Sequence, residues 1–141
     1  IQGHWKAGTV PLADIEQSII EFSALGVKVM FTELDLSVLP SRGPNTADVG
    51  NTSTNSDGMD PYKNGLPDSV QQVLTTSYES LFKLFLKHRN KISRITFWGV
   101  NDGQSWLNNW PIPGRTNYPL LFDRAYQPKP AFYKVIAAKQ P

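Results

Sequence analysis

Three features of the sequence predict an α/β fold built on parallel strands. A helical stripe of Leu12, Ile15, Ile19, Phe22 and Leu25 runs straight into the apolar stretch Val27, Val29 and Phe31. A second stripe of Val70, Val73, Leu74, Tyr78, Leu81, Phe82 and Phe85 precedes a second β-branched and aromatic stretch over residues 92–100. Acidic residues, Glu33 and Asp35, stand where the first of these strands should be ending. A helix feeding directly into a buried strand is the order of elements that parallel sheets require, because their crossovers are helices.

In chain order, residues 1–5 are too few to show a period and read as the end of a strand. Pro11 suits the first turn of the first helix, and Gly26 suits the position just past its end. The strand over residues 27–35 alternates its side chains, so Glu33 and Asp35 share one face. The same alternation puts Val29 and Phe31 on the inner side of the sheet, with Ile95 and Phe97 beside them. Residues 36–67 hold Pro40, Gly43, Pro44, Gly50, Gly58, Pro61, Gly65 and Pro67 without a sustained period, which reads as one long loop. Asp68, with Gln71 three residues on, marks a helix start. After the strand over residues 92–100 comes a loop over residues 101–126, and Pro130 opens a closing helix through Phe132, Val135 and Ile136.

Two strands and a fragment make a poor sheet, so this pattern calls for further strands. A complete (β/α)8 barrel takes about 250 residues, and these 141 read as the last third of one. The opening Ile1-Gln2-Gly3-His4, without an initiator Met or a signal pattern, fits a piece of something longer.

Composition removes several classes of function. The formal charge is +2 with no basic cluster, which argues against nucleic acid as a partner. Without cysteine there is no disulfide framework and no thiolate zinc site, and His4 and His88 lie too far apart to suggest a histidine metal site. No apolar run approaches the roughly 20 residues of a membrane span.

The strand ends carry the chemistry. A carboxylate at the end of a buried strand is costly unless paired, hydrogen-bonded or used, so Glu33 is either a catalytic group or a capped strand end. His4 between Glu33 and Asp35 would bond to both, fixing the orientation of Glu33 and its own tautomer. In a barrel, His4, Trp5, Glu33, Asp35, Trp98, Asn101, Asp102 and Trp106 would rise into one mouth. Trp98, Trp106 and Trp110 fall within thirteen residues, and each offers an apolar face and one N–H, suited to stacking on a sugar or to plugging the barrel top. A serine-nucleophile elbow and a phosphate-cradling glycine loop are both absent from the sequence.

Gln2-Gly3-His4-Trp5, Phe31-Thr32-Glu33-Leu34-Asp35, Phe97-Trp98-Gly99-Val100-Asn101-Asp102 with Ser105-Trp106, and Pro119-Leu120-Leu121-Phe122-Asp123 before Pro128-Lys129-Pro130-Ala131 together resemble the glycoside hydrolase family 10 xylanases. The resemblance implies a (β/α)8 TIM barrel, with this chain running from the end of strand 6 through helix 8 and bearing the long loop at 36–67. It implies Glu33 as nucleophile, His4 and Asp35 as its supports, and Gln2, Trp98 and Trp106 as substrate-binding residues. The implied reaction is retaining hydrolysis of internal β-1,4-xylosidic bonds of xylan, without metal or organic cofactor. The family's acid/base glutamate, in an Asn-Glu pair at the end of strand 4, has no counterpart here. The partners expected are therefore xylan and the N-terminal part of the same barrel, and a polymeric substrate points to an extracellular or periplasmic location. Two other readings are a related retaining β-glycanase acting on cellulose or mannan, and a non-catalytic carbohydrate-binding remnant that keeps the tryptophans.

Overall fold

The structure, a computed structural model, describes residues 1–40 and 60–138. Its elements in order are β1 (His4–Lys6), α1 (Leu12–Ala24), β2 (Val29–Ser37), α2 (Asp68–Lys87), β3 (Ile92–Phe97) and α3 (Pro130–Ala137), with two 3-10 turns at Asp102–Gln104 and Trp106–Asn108. The three strands form one parallel sheet in the order β1-β2-β3. The expected elements are all present, with shifted ends. β2 starts and finishes two residues later than expected, so Glu33 lies inside the strand, and β3 stops at Phe97. Residues 41–59, most of the loop expected over 36–67, lie outside the described residues.

Local chemistry accounts for the ends. Gly26 takes a positive φ of 80°, which a residue with a Cβ adopts poorly, and this turns the chain out of α1 toward β2. Asp68 does not cap α2 as the sequence suggested. Pro67 occupies that place with an extended backbone, and its carbonyl accepts the amides of Val70 and Gln71, leaving Asp68 as the first helical residue, where its charge complements the dipole. At the far end, Glu16 of α1 accepts from His88 at 2.6 Å and from Lys87 at 2.7 Å, tying the two helices together.

The helices cover one face of the sheet. Phe31, fully buried, meets Phe85 of α2 at 4.5 Å, and Phe97 stacks on Phe82 at 6.0 Å. Val29, Phe31, Ile95 and Phe97 therefore belong to the helix-facing core, and their expected place on the inner face is corrected. The opposite face carries Met30, Arg94 and Trp98, all exposed. The reason lies in the register. Phe31 pairs with Ile95 and Leu34 with Phe97, so three steps along β2 match two along β3. Such a bulge inserts one residue and reverses the alternation beyond it. Phe31 touches Trp5, whereas Glu33 and Asp35 touch His4, the next residue along β1 and so on its other face. In a regular strand the carboxylates would follow Phe31 into the helix layer.

The long β3–α3 connection is held from inside. Asp102, placed by the sequence among the residues of the barrel mouth, is instead completely buried and accepts from Lys129 Nζ and from the Leu120 amide, both at 2.9 Å. Lys129 Nζ also donates to the Tyr118 carbonyl at 2.8 Å. Burial raises the Asp102 pKa against the lowering effect of Lys129, and burial likewise lowers that of Lys129. Tyr78 of α2 donates its hydroxyl to the Pro119 carbonyl at 2.6 Å, fixing the same connection to the helix layer. Replacing Lys129 with Met should leave a buried carboxylate without its cation, a loss of about 3 to 5 kcal/mol. The sign with pH follows from the raised Asp102 pKa. The variant is closest to the parent at low pH, where Asp102 is protonated, and loses stability as pH rises through that pKa, as urea melts at pH 4.5 and 7.5 would report.

Candidate active site

The polar face of the sheet is organised by His4. Its Nδ1 lies 3.0 Å from Asp35 Oδ1 and its Nε2 lies 3.0 Å from Glu33 Oε2. Ionised carboxylates only accept hydrogen bonds, so both contacts are satisfied together by the imidazolium, which carries two N–H groups. The sequence suggested a fixed neutral tautomer; the geometry favours the doubly protonated ring. Burial lowers the His4 pKa, but the bond and charge of Asp35, followed by those of Glu33, outweigh it and leave the pKa raised. Asp35 is 1% exposed and spends its second oxygen on the Trp106 indole, whose Nε1 donates to Oδ2 at 2.8 Å. Glu33 is more open, with Oε1 accepting from Gln2 Nε2 at 2.9 Å.

These contacts arise from neighbouring strands in register. His4 pairs with Asp35 across β1 and β2, and the Asp35 amide donates to the Gly3 carbonyl at 3.1 Å. Gly3 faces the helix side, where a Cβ would come within 3.1 Å of the Trp5 ring and 3.3 Å of Leu34, so a small residue lets β1 sit close to β2.

The expected site residues converge on one face of the sheet. Glu33, His4, Asp35 and Gln2 form one bonded group. Trp98 is 46% exposed and meets the His4 ring edge-on at 6.5 Å, leaving apolar surface open beside that ring. Trp106 is half-buried and its N–H is committed to Asp35, so that donor is not free for a sugar hydroxyl. Asn101, also expected in the mouth, is buried and accepts from the Gly103 amide at 2.8 Å. Asn117, not singled out in the sequence, is completely buried, accepting from the Val38 amide and donating to Ser37 Oγ, which joins the end of β2 to the β3–α3 connection. An asparagine in a polar loop carries no local signal of such a role. Among the described residues no group of three or more His, Asp or Glu side chains is placed to hold a metal ion, and no described helix is long and apolar enough to cross a membrane.

The sequence profile of glycosyl hydrolase family 10 matches residues 1–138. The chain belongs to this family. It is 45% identical over 137 residues to endo-1,4-beta-xylanase A of Xylanibacter ruminicola, an alignment covering 96% of this chain and 37% of that protein. An endo-1,4-beta-xylanase of Geobacillus stearothermophilus is 32% identical, again covering 96% of this chain and 37% of the relative. Among solved structures, a GH10 endoxylanase retrieved from a sugarcane soil metagenome superposes with a TM-score of 0.93 at 44% identity, covering 98% of this chain and 40% of that one. The chain thus spans little more than a third of the relatives' length. It corresponds to the C-terminal part of the family's (β/α)8 barrel, with β1 to β3 as the last three strands.

For this family 10 chain, the raised His4 pKa gives a direct test. Protonated His4 contributes to stability in full below 6.5, its ordinary pKa, and that contribution is lost as pH rises through its higher folded-state value. Asp35→Asn removes the largest influence raising it, so the His4 ring should titrate at lower pH in the variant. Ring-proton NMR across pH 5 to 9 would measure the difference; an unmoved midpoint would contradict the arrangement.

Proposed function

We propose that this chain supplies the nucleophile half of a retaining endo-1,4-β-xylanase that cleaves internal β-1,4-xylosidic bonds of xylan. The observation that carries the reading is the state of Glu33: partly exposed, with one oxygen held by His4, whose ring the exposed Trp98 adjoins, and the other by Gln2. A carboxylate whose two oxygens are steered by donors presents a remaining lone pair in a fixed direction, as attack on an anomeric carbon needs. Glu33 would displace the leaving sugar and form a glycosyl-enzyme, and water would then release the product with retained configuration. The names of the relatives, endo-1,4-beta-xylanases, support the substrate class. Action on a polymer supports work outside the cytoplasm, in the medium or the periplasm.

A retaining site places its two carboxyls about 5 to 5.5 Å apart on opposite sides of the scissile bond. Asp35 does not suit the second role, because it is buried on the same strand as Glu33 and both its oxygens are engaged. The acid/base would come from the earlier strands of the barrel, which would protonate the leaving oxygen and then activate water.

Assay of this chain with and without the first five strands tests the division of labour: release of reducing ends from xylan is expected only from the combination. In the combined protein, Glu33→Gln should lower turnover of an aryl xylobioside by about three orders of magnitude or more while leaving the melting temperature nearly unchanged. Parent-level turnover in that variant would refute the assignment. Trp98→Ala should raise KM for xylo-oligosaccharides more than it lowers stability, because its ring is already exposed.

A further inference from the structure

The Trp110 ring lies nearly parallel to that of Trp106, with centroids 4.8 Å apart and planes 20° apart. Trp106 in turn meets the His4 ring at 5.1 Å and donates its indole N–H to Asp35. An indole has a single N–H, in the plane of the ring, so that bond survives only while the ring keeps one orientation. Trp106 sits on a three-residue 3-10 turn, a short element that does little to fix a large side chain.

The backbone behind Trp110 is firmly anchored. Its carbonyl accepts from Arg115 Nη2 at 3.2 Å, and Arg115 is only 7% exposed. The Arg115 amide donates to the Asn108 carbonyl at 2.7 Å, and Asn108 Nδ2 donates to the carbonyl of the buried Asp102 at 2.8 Å. The loop thus presents the Trp110 ring to Trp106 from a fixed base.

We propose that Trp110 is a positioning residue for the reaction: lying flat on Trp106, it holds that indole on Asp35 and, through His4, sets the direction in which Glu33 faces the sugar. This rests on the function proposed above. Its consequence differs from that of a sugar-stacking tryptophan, whose loss weakens binding. Losing Trp110 disturbs the nucleophile and leaves substrate affinity largely intact.

The test uses the complete barrel containing this chain, with Trp110→Ala and Trp110→Phe compared with the parent on an aryl xylobioside. Trp110→Ala should lower kcat by about ten- to a hundredfold, because small misplacements of a reacting group are that costly. KM should stay within about twofold, and Trp110→Phe, which keeps a flat ring, should restore most of kcat. Without substrate, the Trp106 indole N–H should lose its protection from hydrogen exchange in Trp110→Ala, and the His4 titration midpoint should move. A raised KM with unchanged kcat, or an indole N–H and a His4 midpoint both unchanged, would overturn the proposal. So would loss of folding in both variants, which would make Trp110 a purely structural residue. If the parent itself cleaves no xyloside, the proposed function fails, while the exchange and titration measurements still decide whether Trp110 holds the group together.

Discussion

The hydrogen bonds that His4 makes to Glu33 and Asp35 are the interaction on which the site depends. They join β1 to β2 through side chains at the register where the backbones also pair. They place the imidazolium between two carboxylates, and among the described residues His4 is the charged group bonded to each of them. The geometry has a direction: Asp35 is buried and saturated by His4 and Trp106, whereas Glu33 remains partly open. Two carboxylates two residues apart on one strand are thereby made chemically unequal, one fixed as a support and the other left available.

Around that group the sheet has two unlike faces. The helix-facing side is an aromatic and aliphatic core in which Trp5, Phe31, Phe82, Phe85, Phe97 and Tyr78 pack together. Its stability comes from apolar area removed from water and from close packing. The other side carries the polar site and exposed apolar groups such as Met30 and Trp98. The bulge in β2 is the hinge between these two roles, because it lets one strand place Phe31 against α2 and Glu33 beside His4. The β3–α3 connection closes over the end of β2 and is locked by the buried Asp102–Lys129 pair, by Asn117 and by the Tyr78 hydroxyl. Asp102 looks like a site residue in the sequence because it follows a strand end. Its burial and its lysine partner make it a structural pin.

The sequence alone determined the alternation of helices and strands, the place of the chain in a parallel barrel, and the grouping of Glu33, His4, Asp35 and Trp98. These follow from hydrophobic period, from Gly and Pro at element ends, and from motifs whose order along the chain is itself informative. Which face each residue occupies was decided only by the tertiary structure. A strict period of two would have sent Phe31, Glu33 and Asp35 the same way. The inserted residue that separates them appears only in the pairing of β2 with β3, since a bulge is a property of two strands and leaves no mark on one. The same holds for the Trp106 indole, the Asp102 carboxylate and Asn117. Each is a polar group in a loop, and its role depends on the partner that folding brings to it, from residues up to 80 positions away.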